Sequence, residues 1–269
     1  MKVADRAIVV TGGGNGIGRQ VVLELLRRGA RVAAVDIRHD SLDETAQLAD
    51  AGDRYASFVV DITDRQAVEA LASKVSDAFG AVDGLINVAG IIQPFVRLAD
   101  LDYEAIERVV DINLYGTIHT VKAFLPQLLE RPVAHVANVS SMGGFLPVPG
   151  QTIYGASKAA VRLMTEGLYA ELRETRVGVS VVFPGAVGTD ITANSGVASP
   201  GSAASEEGSS FPTTSPEDAA TTIVDGIEAA KLYIFVGRDS RMMNLLTRLS
   251  PRRATHLIQH KMKGLLDEV

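Results

Sequence analysis

The chain contains no cysteine among its 269 residues. Disulfide bonds, thiolate catalysis and cysteine-based zinc sites are therefore excluded, and a reducing cytoplasm is compatible with the sequence. No apolar run approaches the roughly 20 residues needed to cross a bilayer, and no signal-peptide core follows Met1. The five histidines are scattered, so no cluster of metal ligands is evident. These absences favour a cytoplasmic protein without a membrane span or a metal.

The chain also lacks an excess of positive charge, with 32 acidic against 26 basic residues. A protein that binds nucleic acid usually presents a basic surface to the phosphates, so the balance argues against a nucleic-acid partner. Hydrophobic residues make up 46% of the chain and charged residues 22%, which is typical of a folded globular protein.

Seven short, nearly continuous apolar runs alternate with longer helical patterns. Such runs are typical of strands in a parallel sheet covered on both faces, and the alternation indicates right-handed β–α–β crossovers. We therefore expect one α/β domain over residues 1–237, a Rossmann-like, doubly wound, seven-stranded parallel sheet with helices on both faces. The expected strands are Ala7–Thr11, Arg31–Val35, Tyr55–Val60, Gly84–Asn87, Ala134–Val139, Val177–Phe183 and Tyr233–Val236. The clearest expected helices are Ile17–Arg28, Asp64–Phe79, Tyr103–Leu129 and Tyr154–Arg173.

One segment near the end of this domain departs from the alternation. Ser195–Ser215 contains many Gly, Ser, Ala and Pro and few large apolar residues, so it can bury little surface. It follows the end of a strand, where ligands bind in such sheets. We expect residues 190–215 to form a mobile substrate lid, and a surface insertion is the alternative.

Residues 238–269 form a second departure, with seven Lys or Arg against three acidic residues. Ser250-Pro251 is typical of a helix start and separates two apolar sets. These sets are Met242, Met243, Leu245, Leu246 and Leu249, followed by Leu257, Ile258, Met262 and Leu265. We expect a basic helical C-terminal extension that packs on the same domain or on a partner subunit. Peripheral contact with an anionic membrane is the alternative.

A glycine-rich segment from Thr11 to Gly18 follows the first strand and opens a helix. Glycine lets the backbone turn tightly and approach a pyrophosphate, and the helix start offers free N–H groups. Asp36 ends the second strand, where a carboxylate would bond both ribose hydroxyls of NAD and repel a 2′-phosphate; a turn-capping aspartate is the alternative. Arg38 could instead meet that phosphate, but Asn15 is not basic. The pattern favours NAD over NADP.

With these motifs the chain resembles the short-chain dehydrogenase/reductase family over roughly residues 5–237. The glycines have that family's Thr-Gly-x-x-x-Gly-x-Gly spacing, and Tyr154 to Lys158 is its Tyr-x-x-x-Lys motif. Ser141 lies thirteen residues before the tyrosine. Asn87-Val88-Ala89-Gly90 resembles the family's Asn-Asn-Ala-Gly with valine at the second position. We expect the strand-stabilising role of Asn87 to survive that change.

The resemblance implies hydride transfer between NAD(P)(H) and a secondary alcohol or ketone, and self-association as a homodimer or homotetramer. It implies that the catalytic residues are Asn113, Ser141, Tyr154 and Lys158, and that Ser141, Gln151 and Tyr154 contact substrate. The residues expected to bind the cofactor are Gly12, Asn15, Gly16, Ile17, Gly18, Asp36, Asp61, Ile62, Asn87, Ala89, Gly90, Tyr154, Lys158, Pro184, Gly185, Val187 and Thr189.

The motif residues also suit this chemistry physically. Tyr154 and Lys158 share one helix face because they are four residues apart. A phenol has a pKa of about 10, and a nearby ammonium lowers it, so we expect Tyr154 to act as general acid and base. Ser141 can bond the substrate oxygen, with Ser140 as a rival. By the resemblance Asn113 holds a water that links Lys158 to solvent; bonding to nearby backbone is its alternative role.

Apolar residues after two of the motifs are expected to line the substrate pocket, namely Ile91, Ile92, Gln93, Phe95, Met142, Phe145 and Leu146. They favour a hydrophobic alcohol or ketone as the small-molecule substrate. Two alternatives remain open: an NADP(H)-dependent carbonyl reductase, and a nucleotide-sensing or scaffold protein without catalysis. The complete catalytic set argues against the second.

Overall fold

The computed structural model describes residues 1–197 and 213–262. Its seven strands are β1 Ala7–Thr11, β2 Arg31–Asp36, β3 Tyr55–Val59, β4 Gly84–Asn87, β5 Ala134–Val139, β6 Val177–Pro184 and β7 Tyr233–Val236. They form one parallel sheet in the order β3-β2-β1-β4-β5-β6-β7. The predicted doubly wound fold is confirmed. The strand order reverses between β1 and β4, which is where open α/β sheets bind ligands.

Helices lie on both faces of the sheet. In chain order they are α1 Gly16–Arg27, α2 His39–Ala49, α3 Arg65–Phe79, α4 Tyr103–Val110, α5 Gly116–Leu129, α6 Thr152–Glu171, α7 Ile191–Asn194, α8 Pro216–Glu228, α9 Arg238–Leu249 and α10 Pro251–Lys261. Short 3₁₀ turns lie at Gly52–Arg54, Leu98–Asp100 and Met142–Gly144. The apolar stripes of α1, α2 and α8 pack on one face of the sheet, and those of α3, α5 and α6 pack on the other.

The segment predicted as one helix from Tyr103 to Leu129 is continuous but not uniform. A π-helical turn, Asp111–Tyr115, joins α4 to α5. The hydrophobic period of the sequence does not reveal this turn, because one extra residue in a single turn barely changes the pattern. Turns of this kind are frequent at functional sites, and this one contains Asn113.

The C-terminal helices α9 and α10 form a hairpin on the same domain. Met243 and Ala254 are buried against Leu146, and Leu246 and Ile258 join that cluster. Met242, Leu245 and Leu249 point outward instead, so the five apolar residues predicted to share one face of α9 are divided between two surroundings. Leu265 lies outside the described residues, and no helix within 1–197 and 213–262 is long and apolar enough to cross a bilayer.

Candidate active site

A cavity of about 950 Å³ opens at the carboxyl ends of the strands. Its wall includes the glycine-rich segment, the ends of β2 and β5, and the first turns of α6. This volume falls within the range of small-molecule and cofactor sites. The site is therefore formed where the reversal of strand order leaves a crevice in the sheet.

The glycine-rich segment needs its glycines for two different reasons. Gly12 has a φ of +70°, and a Cβ on it would lie 2.9 Å from the Ala89 backbone. A Cβ on Gly18 would overlap the carbonyl oxygen of Gly12. Asn15 caps α1, since its side-chain oxygen accepts from Gly16 N at 2.6 Å. The start of α1, where backbone N–H groups lack partners within the helix, therefore lies at the cavity wall.

Asp36 and Arg38 lie together at one end of the cavity. The Asp36 carboxylate accepts from Gly14 N at 3.0 Å and from Arg38 N at 3.1 Å. The guanidinium of Arg38 donates to Asn194 Oδ1 at 3.1 Å. Asp36 therefore holds the backbone at Gly14 and Arg38, as the turn-capping alternative predicts. It also lines the cavity. Asp61 and Ile62, after β3, line the same end.

Tyr154 and Lys158 lie one turn apart near the start of α6, and both line the cavity. Ser141 follows the end of β5, hydrogen-bonds the Tyr154 hydroxyl and accepts from Gly143 N at 3.0 Å. Ser140 is buried, and its hydroxyl donates to the Lys158 carbonyl at 2.7 Å. Ser140 therefore anchors α6, while Ser141 is the serine that contacts the tyrosine.

Burial moves the pKa values of both α6 side chains. It raises the pKa of Tyr154 above its usual 10, and the hydrogen bond from Ser141 only partly opposes this. It lowers the pKa of Lys158 to about 8, since a buried ammonium loses hydration. The lowered pKa expected for Tyr154 is therefore not what the protein side chains alone produce, because desolvation of the phenolate outweighs the favourable contacts.

Asn113 lies in the π-helical turn and is fully buried. Its side chain pairs with the Ile91 backbone, accepting from N at 2.9 Å and donating to O at 2.9 Å, and it donates to Ser157 Oγ at 3.0 Å. A Cβ on Gly90 would lie 2.8 Å from Lys158 Nζ and 3.0 Å from Asn113 Oδ1. Asn113 therefore has the backbone-bonding role and also lies beside Lys158, just behind the cavity wall.

Asn87, which was expected among the cofactor-binding residues, lies inside the sheet rather than on the cavity wall. Its amide donates to Asn138 Oδ1 on β5 at 2.9 Å, and its oxygen accepts from Thr120 on α5 at 2.8 Å. The strand-stabilising contacts are thus present although valine replaces the second asparagine of the motif.

Gln93 was expected to line the pocket, and this expectation is wrong. It is fully buried, and its Oε1 accepts from the backbone N of Ile153 at 2.8 Å and of Tyr154 at 3.0 Å. Its Nε2 donates to Gly150 O at 3.0 Å. The side chain satisfies free N–H groups at the start of α6, about sixty residues away in the chain. No local sequence pattern marks such a long-range cap.

Gln151 immediately precedes α6 and lines the cavity. Its Nε2 donates to the carbonyl of Gln93 at 2.8 Å, which fixes the orientation of the amide. Its Oε1 is the one buried side-chain polar atom without a hydrogen-bond partner in the part of the chain that the structure describes. A buried acceptor of this kind is costly unless it is paired.

The loop after β6, Pro184 to Thr189, borders the cavity and is held by the C-terminal extension. Asp239, near the start of α9, is 6% exposed and accepts from Ala186 N at 2.7 Å. The adjacent Ser240 donates to Phe183 O at 2.8 Å. The sequence does not reveal these anchors, because Asp239 is one acidic residue in a basic segment and its partner lies fifty-three positions away.

The residues expected to contact substrate are only partly found on the cavity wall. Ile91, Ile92, Phe95 and Met142 line it, together with polar residues of α4, namely Glu104, Glu107 and Arg108. Phe145 and Leu146 do not; both pack beneath the surface in the cluster formed with α9 and α10. Met262, at the end of α10, is an unexpected part of the wall.

The expected lid is anchored at both ends. Ser195 is buried, and its hydroxyl accepts from Ile92 N at 3.0 Å. Thr214 pairs with Ala186 and Gly188 at 2.9 and 3.0 Å. The composition predicts a mobile segment, whereas both of its ends are held by hydrogen bonds. Single polar groups bond the backbone even where little apolar surface is buried. Residues 198–212, the centre of the expected lid, lie outside the described part.

Comparisons with known proteins agree with this arrangement. A family model described as short chain dehydrogenase matches residues 6–198. The putative oxidoreductase SadH of Mycobacterium tuberculosis is 36% identical over 255 residues, which are 91% of this chain and 90% of that protein. An uncharacterized oxidoreductase of Staphylococcus aureus is 37% identical over 192 residues, 71% of this chain and 82% of that protein.

Solved structures show the same likeness. A short chain dehydrogenase/reductase of Burkholderia phymatum in complex with NAD superposes with a TM-score of 0.81 at 27% identity, covering 93% of this chain and 96% of that one. A short chain dehydrogenase of Burkholderia cenocepacia in complex with NADP superposes with a TM-score of 0.80 at 26% identity, covering 96% and 99%. With the family model spanning most of the chain and the seven-stranded sheet in place, this protein belongs to the short-chain dehydrogenase/reductase family of oxidoreductases.

Proposed function

We propose that this protein interconverts a secondary alcohol and a ketone with NAD(H), using Tyr154 to transfer the proton. The observation that carries the proposal is the contact between Ser141 and Tyr154, one helical turn from Lys158, in a cavity whose other end contains the glycine-rich segment and Asp36. One end of the cavity thus suits a dinucleotide and the other suits proton transfer.

The residues present fit a nicotinamide dinucleotide. Gly12 and Gly18 leave no room for Cβ atoms beside the start of α1, which is the geometry that a pyrophosphate needs. Asp36 offers a carboxylate at the end of β2 for the ribose hydroxyls. When bound, the nicotinamide accepts or donates the hydride. The protein's part is to position it and to move the proton.

In the oxidation direction the Tyr154 phenolate would take the proton from the alcohol oxygen, while a bound nicotinamide would take the hydride from carbon. Ser141 holds the substrate oxygen by a hydrogen bond as its charge changes. Lys158, with a pKa of about 8, is mostly an ammonium at neutral pH and stabilises the phenolate that burial disfavours. The ammonium of Lys158 also exchanges its proton easily near neutrality. Lys158 therefore suits the relay of a proton from Tyr154 toward Asn113.

NAD is preferred to NADP because the Asp36 carboxylate would repel a 2′-phosphate. Arg38 is the specific observation that favours the second candidate, an NADP(H)-dependent carbonyl reductase, since it lies beside Asp36 on the same wall. Its guanidinium is engaged with Asn194, so a phosphate would have to displace that contact.

The apolar part of the cavity wall favours a hydrophobic substrate. Ile91, Ile92, Phe95 and Met142 supply the apolar surface. Glu104, Glu107 and Arg108 of α4 line the same end and suit a polar group on such a substrate.

The test is a panel of secondary alcohols with NAD⁺ and NADP⁺, and of ketones with NADH and NADPH, followed by nicotinamide absorbance. Tyr154→Phe should lower kcat by roughly 10²–10⁴-fold, the usual contribution of a general acid or base. Tyr169→Phe, on the same helix but bonded to Arg173, is the matched control and should keep full activity. Turnover that survives Tyr154→Phe would refute the mechanism. Tight NADH binding without turnover of any compound would favour the sensor alternative.

A further inference from the structure

The outer face of α9 carries a continuous apolar stripe. Met242, Leu245 and Leu249 are spaced at three and four residues, so they share one side of the helix. They are 48%, 59% and 76% exposed, and Leu257 on α10 is 37% exposed. Single exposed apolar residues are ordinary, but a row of them on one helix marks an interaction surface.

The same two helices carry charge of one sign. The exposed charged residues between 238 and 262 are all basic: Arg238, Arg241, Arg248, Arg252, Arg253 and Lys261. Asp239, the acid in this segment, is buried against Ala186 N. None of the five arginines forms an ion pair with an acid of the described residues. The chain as a whole has a net charge of −6, so this face is basic on an acidic protein.

We propose that this face of α9 and α10 binds an anionic lipid surface. Basic amphipathic helices lie at the headgroup level, with their apolar side in the acyl region and their arginines against anionic lipids. On the helical wheel, Arg241 and Arg248 lie along one edge of the stripe of Met242, Leu245 and Leu249, and Arg238 lies in line with the stripe at the start of α9. Nucleic acid would use the arginines but leave the leucines in water. Pairing with a second copy of the same face would bring like charges together.

The two helices that carry this face also border the cavity. Met262, at the end of α10, lines the cavity, and the inner side of the hairpin packs on Met142, Phe145 and Leu146, directly after Ser141. The side of the two helices opposite the docked face therefore borders the cavity. An apolar substrate could then enter the cavity from the lipid, an idea that rests on the proposed function. The binding of the α9 and α10 face to lipid does not rest on it.

The test is flotation of the full-length protein with two kinds of vesicle, phosphatidylcholine alone and phosphatidylcholine with one quarter phosphatidylglycerol. We expect binding to the anionic vesicles at 0.1 M salt, little at 1 M, and little to neutral vesicles. Leu245→Ser with Leu249→Ser, and separately Arg241→Ser with Arg248→Ser, should each weaken binding about tenfold or more. Leu48→Ser on α2, where the leucine is 60% exposed, is the matched control and should bind as before.

Absence of flotation, equal binding to neutral vesicles, or equal loss in the Leu48→Ser control would each overturn the proposal. A change of oligomeric state in the α9 variants without a change in flotation would assign the face to another copy of the chain, and would also overturn it. Flotation needs no turnover, so failure here and failure of the proposed reaction are separate results.

Discussion

The proposed preference for NAD depends on Asp36. Asp36→Asn keeps an acceptor for Gly14 N but removes the charge, so the backbone contact at 3.0 Å should survive. We expect KM for NAD to rise about 10- to 100-fold, since hydrogen bonds to a charged group contribute about 1.5–3 kcal/mol. The ratio of kcat/KM for NADP to that for NAD should rise in parallel. Asp40→Asn, exposed in the first turn of α2, is the control; equal cofactor ratios in both variants would contradict the assignment.

His135 links the stability of the protein to pH. It is buried in β5, its ring nitrogen bonds Ser180 Oγ on β6 at 2.8 Å, and burial lowers its pKa from 6.5 to about 3. Between those values the unfolded chain binds a proton that the folded chain does not. The free energy of unfolding therefore falls as pH drops below 6.5, by about 1.4 kcal/mol per unit from this group.

Urea unfolding at pH 5 and pH 6.5 measures this loss, because carboxylates with ordinary pKa values stay mostly ionised over that interval. We expect the native protein to lose up to about 2 kcal/mol, and His135→Gln to lose clearly less. His256→Gln, at an exposed position of α10, should follow the native protein. An unchanged slope in His135→Gln would show that other groups carry the dependence.

At the scale of elements, the start of α6 positions Tyr154, the proposed proton-transfer residue. Tyr154 lies in its first turn, and Gln93 holds that turn through two backbone N–H groups. Gln93→Met keeps the size of the side chain but leaves those donors unpaired, at a cost of about 1–3 kcal/mol in stability. We expect kcat to fall about tenfold or more while NADH affinity stays unchanged, since the glycine-rich segment is untouched.

Gln127→Met is the matched control for this prediction, because it removes a glutamine that bonds Ser76 at 2.9 Å, away from the cavity. It should lower stability slightly and leave kcat unchanged. If Gln93→Met reduced NADH affinity as much as it reduced kcat, Gln93 would be a fold-stabilising residue without a positioning role. The same would follow if it reduced only the free energy of unfolding.

At the scale of the whole molecule, the outer surface of α4 to α6 predicts self-association. Tyr103, Tyr115 and Leu163 are 82%, 50% and 70% exposed there, and Gly167 on α6 has open space around it, so another helix could approach closely. We expect light scattering to find a dimer or tetramer, and Leu163→Glu to shift it to smaller species. Leu48→Glu on α2 should leave the mass unchanged. A monomeric native protein would refute this interface.

The sequence by itself determined the fold class, the strands to within a residue, and three of the side chains that line the cavity, Ser141, Tyr154 and Lys158. Continuous apolar runs predict the buried parallel strands. The four-residue spacing of Tyr154 and Lys158 predicts that they lie close together on one helix. Ser141 required only that strand ends meet at one edge of the sheet.

Only the tertiary structure decided the roles of residues whose partners are far away in the chain. Gln93 bonds Tyr154 N across sixty-one positions, Asp239 bonds Ala186 N across fifty-three, and Met262 lines the cavity from the end of α10. A polar side chain has the same identity whether it caps a distant helix or lines a pocket. Its partner is fixed by the packing of whole elements, which local periodicity does not record.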